Sequence, residues 1–474
     1  MTYTVGDVHG FEAAGQGFLY LVPSGGIVDL NPIATAVLER IKTSPASREE
    51  LVGSLPFAAP DIHEAIDELS LFRAILADGE KREDPPQDLA PDKFPLQTIV
   101  LNLTNQCNLS CGYCYEFGED KVATPEGKPK FMSWEVAQQS VDHLFLESAG
   151  RRAIHITFFG GETLMNFPLL KQVVKYANDK AREEGRYIDF SLTTNGTLLT
   201  PSIIEFLAEN HVGVTVSMDG PKEMNDALRV FANGKGSYDI IAPKVRALLE
   251  AHKTRPIAAR VTLTSQVTDV LKIFRHLKQD MGFHEVGFAP VTTSPNRLYA
   301  IETAGMNTVL DQFRTLAFEY RDHALESRHH GFSNVSDTLN ELHQGINKSH
   351  PCGAGLGLVG VGPSGDIAPC HRFVDSDTHS LGHISTGMDR AKQADFLNRG
   401  HIGAKYACHE CWARPLCAGG CHHEAFVRYG DTGHPNLHYC DWIRGWTDLC
   451  LQIYGEIATR NPQFLATFDR RKTV

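Results

Sequence analysis

Three cysteines, Cys107, Cys111 and Cys114, stand in the run C-N-L-S-C-G-Y-C-Y, directly after an alternating apolar stretch at 96–103. The spacing is C-x3-C-x2-C, and it falls where a strand should end. Three thiolates on one short loop suit a [4Fe–4S] cube in which protein holds three irons and one stays open. An open iron is a place for chemistry, whereas a cube held by four cysteines mainly moves electrons. A single zinc with one further ligand is the alternative for the same spacing. Any fold of this chain must present the loop at a strand end where a ligand can reach it.

The chain has 474 residues, so roughly two to four domains are expected. At 42% hydrophobic and 22% charged, its composition is that of a globular protein. Net charge is −12 with no basic block, which argues against a nucleic-acid partner, since phosphate binding needs clustered Lys and Arg. No apolar run is long enough to span a bilayer. The N-terminus, M-T-Y-T-V-G-D-V-H-G, lacks the regions of a signal peptide. A cytoplasmic protein with reduced thiols is the expectation. Of 11 cysteines, three lie near residue 110 and eight after residue 350. Such clustering favours metal over a disulfide framework.

Residues 1–80 read as a small separate module. A hairpin is expected at 17–30, turning at Pro23-Ser24-Gly25-Gly26. Asn31 is placed to cap a helix with Pro32 at its first position. Asp61 and Glu64 have capping-box spacing for a later helix whose apolar face runs Ile62, Ala65, Ile66, Leu69 and Phe72. The prolines of 81–95 mark a linker. From 96 to 292 strands and helices alternate. Candidate strands are 96–103, 153–159, 187–194, 212–218, 257–264 and 285–291, with helical patterns such as 133–147 and 168–183 between them. Six such units predict an α/β parallel sheet, open or curled into a partial barrel, with ligands beyond the C-terminal strand ends. Residues 293–348 read as a helical connector. Residues 349–474 are rich in Cys and Gly, short of periodicity up to about 440, and helical from Trp442.

Four motifs in order, each at a strand end, resemble the radical S-adenosylmethionine (SAM) enzymes. They are the cysteine run, Phe158-Phe159-Gly160-Gly161-Glu162, Thr194-Asn195-Gly196, and Ser217-Met218-Asp219-Gly220-Pro221. The resemblance implies a partial (β/α)6 barrel. It implies that Cys107, Cys111 and Cys114 hold the first [4Fe–4S] cluster, whose open iron takes the amino and carboxylate groups of SAM. Gly160 and Gly161 would let backbone approach the ligand. Glu162 would receive the amino group, Asn195 and Ser217 the ribose or carboxylate end, and Tyr115 would flank the adenine. Arg229 is a candidate fork for the SAM carboxylate. Asp219 is a candidate to orient substrate or accept a proton, with a structural turn aspartate as the alternative.

The later cysteines run Cys352, Cys370, Cys408-x2-Cys411-x5-Cys417-x3-Cys421 and Cys440. This order resembles the SPASM domain of peptide-modifying radical SAM enzymes and implies two auxiliary [4Fe–4S] clusters, three in all. Cys408, Cys411, Cys417 and Cys440 would hold one. Cys352, Cys370 and Cys421 would hold the other, with its fourth position open to His350 or to a substrate thiolate. A pair of zinc sites is the alternative. Cys450 falls outside the pattern and reads as a core cysteine. Sulfatase-maturing relatives place an Asp base after the second motif cysteine, where this chain has His371. The N-terminal module resembles the PqqD-like winged-helix element that binds leader peptides by strand addition, against the alternative of an ordinary α+β appendage.

Across its length, including Y-C-Y-E-F-G-E-D-K, K-P-K-F-M-S and F-F-G-G-E-T-L, the chain is similar to the maturation proteins of quinohemoprotein amine dehydrogenase. That likeness implies intrapeptide thioether formation, from Cys sulfur to the β carbon of Asp or the γ carbon of Glu. The substrate would be the small γ subunit with its leader, and the electron donor a flavodoxin- or ferredoxin-like protein. α-Carbon thioether synthesis, formylglycine formation and a non-catalytic leader-binding metal scaffold are the competing readings.

Overall fold

A computed structural model describes residues 1–82, 94–123 and 126–469. Most of the expected linker, including Pro85, Pro86 and Pro91, lies outside the described residues. The first strands are β1 (Thr2–Val5), β2 (Val8–Ala13), β3 (Gln16–Leu21), β4 (Gly26–Leu30), β5 (Ala46–Ser47) and β6 (Ile75–Ala77). They form two antiparallel sheets, ordered β5-β1-β6 and β2-β3-β4. Helices α1 (Pro32–Thr43), α2 (Arg48–Ser54) and α3 (Ala59–Leu71) pack with them around a separate core. Asn31 Oδ1 accepts from Ala34 N at 2.8 Å, capping α1. The capping box of this module is Ser47/Glu50 on α2. Asp61 lies inside α3, because Pro60 fits the first helical turn and moves the start back to Ala59.

The main sheet begins with β7 (Thr98–Asn102), β8 (Ala153–Phe159), β9 (Tyr187–Thr194), β10 (Gly213–Ser217), β11 (Ile257–Leu263) and β12 (Glu285–Pro290), all parallel and in sequence order. Between them run α4 (Trp134–Glu147), α5 (Phe167–Glu183), α6 (Pro201–Glu209), α7 (Lys222–Leu228), α8 (Tyr238–Ala251) and α9 (Val270–Arg275). Alternation decides the faces. Ile154, Ile156 and Phe158 of β8 are buried, as are Ile257, Ala259, Val261 and Leu263 of β11. α5 covers the outer layer with Leu169, Leu170, Val173, Val174, Ala177 and Ala181. Each large aliphatic chain buried there contributes about 1.5–3 kcal/mol. The opposite strand face is polar, with Thr193, Thr215, Ser217, Arg260 and Thr262 lining a lumen.

After α10 (Thr303–Leu325) and α11 (Ser333–His343) the chain returns to the sheet. β13 (Leu358–Val361) adds in parallel to the free edge of β7, and β14 (Asp366–Ala368), β15 (Gly382–His383) and β16 (Gly387–Met388) continue antiparallel. The sheet is therefore ten-stranded and runs past the boundaries expected at 292 and 349. Leu-Val-Gly-Val is too short to show strand periodicity, but β7 offers it a row of unmet hydrogen bonds. The remaining helices are α12 (Arg390–Gly400), α13 (Arg414–Cys417), α14 (His422–Tyr429), α15 (Cys440–Arg460) and α16 (Pro462–Leu465). The first module docks on this segment. Asp7 and Arg414 form a buried ion pair, His9 bonds Asp448 at 2.7 Å, and His9 stacks on Trp412 at 3.5 Å. Among the described residues no helix is long and apolar enough to cross a membrane.

Candidate functional site

The loop after β7 is held from two sides. Gly161 N donates to Thr104 O at 3.0 Å and Glu162 N to Gln106 O at 2.9 Å. On the other side Ser110 N donates to Val230 O at 2.7 Å and Gly112 N to Leu228 O at 3.2 Å. Cys107, Cys111 and Cys114 all line one cavity of about 520 Å³ at the C-terminal strand ends. Burial pushes the Cys107 thiol up to about 12 and Cys114 up to about 11, and it raises Cys111 as well. Each would be a poor thiolate alone. A cationic metal cluster removes that penalty, since coordination takes the thiol proton outright.

Gly160, Gly161, Glu162, Asn195, Ser217, Tyr115 and Arg229 line the same cavity. The two glycines also meet the cysteine loop. A Cβ on Gly160 (φ +123°) would meet Thr104 O, and one on Gly161 would meet Gln106 O, each within 2.4 Å. These positions are filled by the cysteine loop itself, so the glycines let two backbone segments close together. Glu162 is fully buried. Its carboxylate accepts from Thr194 Oγ1 at 2.7 Å, Asn195 N at 2.7 Å and Leu164 N at 3.1 Å. Burial raises its proton affinity and these three donors oppose that. Asn195 Nδ2 bonds Asn108 Oδ1 at 3.0 Å. Tyr115 packs beside His371 and His423, and its buried hydroxyl has no partner.

Asp219 stands apart from the cavity wall. It is wholly buried and accepts from Tyr113 Oη at 2.5 Å, Arg229 Nε at 2.8 Å and Thr262 N at 2.9 Å. A carboxylate holding three donors is engaged chiefly with its own surroundings, the arrangement of the structural turn aspartate given as the alternative. It positions Arg229, whose guanidinium lies over the Tyr113 ring at 5.4 Å and faces the cavity.

The later cysteines fall into two groups, each within charge–charge range of its own members. One contains Cys408, Cys411, Cys417 and Cys440; the other contains Cys352, Cys370 and Cys421. All 11 cysteines are free thiols. The first group lines a second cavity of about 340 Å³, together with Cys421, Asn436 and Trp442. Asn436 Oδ1 and Trp442 Nε1 are buried there without partners. Sulfurs on one tetrahedral zinc lie about 3.8 Å apart. Among the described residues no cysteine trio has its sulfurs all within 4.8 Å of one another. Lys405 is buried between the groups and donates to Ala418 O at 3.0 Å. His350 Nε2 is turned to Leu397 O at 2.9 Å, away from a ligand role at that nitrogen. Cys450 is buried in α15, outside both groups.

Four cavity residues were not singled out by the sequence reading for this site. Glu116 is pushed up to about 8 by burial, with Asp375 adding to it. His371 is held down to about 3 by burial and by the Arg372 charge, so it is neutral at physiological pH, and it packs on Phe159 at 4.5 Å. Arg260 and Arg372 also line the cavity. Period-two alternation on 257–263 would have flagged Arg260 as a lone cation on the inward face. The two cavities share the wall of Ala289, Pro290, Thr292 and Arg372.

Residues 101–269 match the sequence profile of the Radical SAM superfamily, so this part of the chain is a radical SAM domain. The chain is 28% identical over 375 residues to the serine-type anaerobic sulfatase-maturating enzyme of Bacteroides thetaiotaomicron, covering 74% of this chain and 88% of the relative. Its fold is similar to that of native anSMEcpe with bound AdoMet, with a TM-score of 0.63 at 21% identity over 77% of this chain and 100% of the other. It is also similar to Streptococcus suis SuiB bound to precursor peptide SuiA, with a TM-score of 0.50 at 15% identity over 92% and 98%. The last two likenesses are of fold.

Proposed function

We propose that this protein is a radical SAM peptide maturase that forms intrapeptide thioethers, from Cys sulfur to Asp β or Glu γ carbon, in the small γ subunit of quinohemoprotein amine dehydrogenase. The radical SAM domain, the likeness to a sulfatase-maturating enzyme and the fold shared with a precursor-peptide complex support a radical SAM enzyme acting on protein or peptide. The observation that carries the finer reading is the common wall between a three-cysteine cavity and a second cysteine-lined cavity. When bound, SAM and the reduced first cluster supply a 5′-deoxyadenosyl radical as hydrogen-atom acceptor, and two auxiliary clusters supply an electron acceptor.

In this reading Cys107, Cys111 and Cys114 hold the first cluster. Glu162 receives the SAM amino group, its carboxylate fixed by Thr194, Asn195 and Leu164. Arg229, held on its Nε side by Asp219, turns its remaining edge to the SAM carboxylate. Asn195 and Ser217 meet the ribose end, and Tyr115 flanks the adenine. Cys408, Cys411, Cys417 and Cys440 hold one auxiliary cluster and Cys352, Cys370 and Cys421 the other, beside which a substrate thiol can lose its proton. Two hydrogens leave the substrate for each link. One leaves as an atom to 5′-deoxyadenosine and one as the thiol proton. The remaining electron would need an acceptor, which a cluster held by the later cysteines would supply, balancing the one delivered by a flavodoxin- or ferredoxin-like donor. The N-terminal module holds the leader on a free strand edge in the manner of PqqD-like elements. The site of action in this reading is the cytoplasm.

The test is anaerobic incubation of the reconstituted protein with SAM, a reductant and the leader-bearing γ polypeptide. The expected result is release of 5′-deoxyadenosine and a product lighter by two hydrogens per link, with fragments that place the link at a β or γ carbon. Polypeptide recovered at its starting mass overturns the reading. The likeness to a sulfatase-maturating enzyme favours a second reading, formylglycine formation. That product changes one Cys or Ser without joining two residues.

A further inference from the structure

Arg260 lies on the lumen face of β11, in register with Ser217 on β10 and Gly287 on β12. Its side chain opens into the larger cavity and stays accessible from it. Burial, and then the charge of Arg372, pulls its proton affinity below the usual guanidinium value. Among the described residues the Arg260 guanidinium has no ion pair within 4.0 Å and no side-chain hydrogen bond. Asp337 feels its charge from a distance without touching it. Gly287 makes room for it: a Cβ there would stand 3.3 Å from Arg260 Nη1 and 2.6 Å from Ser333 Oγ.

Arg372 enters the same cavity from the segment after β14. It donates to Thr292 Oγ1 at 2.8 Å and lies over the Tyr115 ring at 4.7 Å. It too has no carboxylate within 4.0 Å among the described residues. Glu424, the acid nearest by influence, is already paired with Arg428 at 2.7 Å. Two guanidinium groups thus face one cavity, and neither is paired with Glu116 or Glu162, the carboxylates that also line it, so both are open to an arriving anion. SAM brings one carboxylate, and Arg229 already faces its expected place.

We propose that Arg260 and Arg372 form a subsite for the side-chain carboxylate of the substrate residue that gives up hydrogen. The inference rests on the crosslinking reading above and deepens it. It identifies the acceptor residue as an acid because the cavity offers planar forks that match a carboxylate in a bidentate way. A carboxylate gripped there fixes the adjacent methylene in the lumen. Arg372, bordering the second cavity as well, keeps that methylene near the side from which a thiol approaches. Asn or Gln at the same substrate position would leave both charges unmatched.

The experiment compares wild type with Arg260→Gln and Arg260→Lys, using the leader-bearing γ polypeptide and a version with one reacting Asp changed to Asn. Two readouts are taken. The first is the acid-to-amide ratio of kcat/KM for product formation. The second is the acid-to-amide ratio of Kd, titrated in the SAM-loaded, unreduced protein, where no turnover occurs. Wild type should favour the acid by at least about 100-fold in kcat/KM, because a site built for hydrogen bonding rejects an analogue that cannot satisfy it. Arg260→Gln should reduce that ratio to below about 5-fold, and Arg260→Lys should recover part of it. An unchanged ratio in Arg260→Gln overturns the inference, as does a SAM Kd weakened by the same factor without polypeptide, which would assign the guanidinium to SAM. If wild type forms no link, the crosslinking reading fails. The Kd ratio then decides the subsite: acid preference lost in Arg260→Gln upholds it, and equal ratios overturn it.

Discussion

Replacing Gly161 by Ala tests whether the cysteine loop and the Gly-Gly-Glu turn are one mechanical unit. The added Cβ would lie 2.4 Å from Gln106 O and 2.6 Å from Gln106 C, both backbone atoms that no rotamer change can move. Ordinary non-bonded contact is about 3.5 Å, so the two segments must part by about 1 Å. The hydrogen bonds Gly161 N to Thr104 O, 3.0 Å, and Glu162 N to Gln106 O, 2.9 Å, would then stretch to about 4 Å and fail. Each lost buried backbone bond costs about 1 kcal/mol, more where a partner is left unsatisfied, and overpacking adds about 1–3 kcal/mol. The sum, roughly 3–5 kcal/mol, falls on the loop that carries Cys107, Cys111 and Cys114. The assay is iron content after anaerobic reconstitution. The three proposed cubes correspond to about twelve irons per chain, and Gly161→Ala should lose about four of them while the proposed auxiliary sites load normally. Gly53→Ala is the control. Gly53 lies in α2 with open space around it, and the change should stabilise by about 0.5–1 kcal/mol. Wild-type iron and wild-type SAM cleavage in Gly161→Ala would refute the reasoning.

Lys405→Met removes the buried cation between the two later cysteine groups. Loss of a unit charge at short range should lower the reduction potentials of both proposed auxiliary clusters by on the order of 50–100 mV, measured by redox titration with EPR detection. Cys440→Ser should cost about four irons, whereas Cys450→Ser, in the core of α15, should leave iron unchanged and lower only thermal stability. His330 is held down to about 3, first by burial and then by His323 and other cations around it. Glu319 stands 3.7 Å away but already pairs with Arg275 at 3.0 Å, so burial prevails. The folded state therefore refuses a proton that the unfolded chain takes below about pH 6.5. Stability is full above that pH and falls by up to about 1.4 kcal/mol per unit as pH drops toward 3. His330→Phe should flatten the decline in melting temperature between pH 7.5 and 5.5, and an unchanged slope would remove His330 as its source.

Much of the sheet was legible because β8 to β11 carry period-two burial and β7 to β10 each end on a motif, as at Phe158-Phe159-Gly160-Gly161-Glu162. The cap at Asn31 was legible because one residue type at one position supplies the missing acceptor. β13 was not, since four residues of Leu, Val and Gly have no period of their own and pair only because β7 is already there. The surroundings of Asp219 were hidden for a related reason. Its motif fixes the turn, but its role depends on Tyr113, Arg229 and Thr262, which come from three separate stretches of chain. Arg260 was hidden inside a good strand pattern, where an apolar outer face drew attention from the single cation on the inner one.

The free edge of β7 is what joins the two halves of the candidate site. A parallel sheet that stops at β7 exposes unmet backbone groups beside its own cysteine loop. β13 covers that edge, and the turn through β14 then delivers Cys370, His371 and Arg372 in succession. Cys370 joins the later cysteines while His371 and Arg372 enter the lumen of the parallel strands. Three consecutive residues thus link a cysteine group to the wall of the cavity where Cys107, Cys111 and Cys114 sit. The C-terminal segment is in this sense a wall of the site, added by edge pairing.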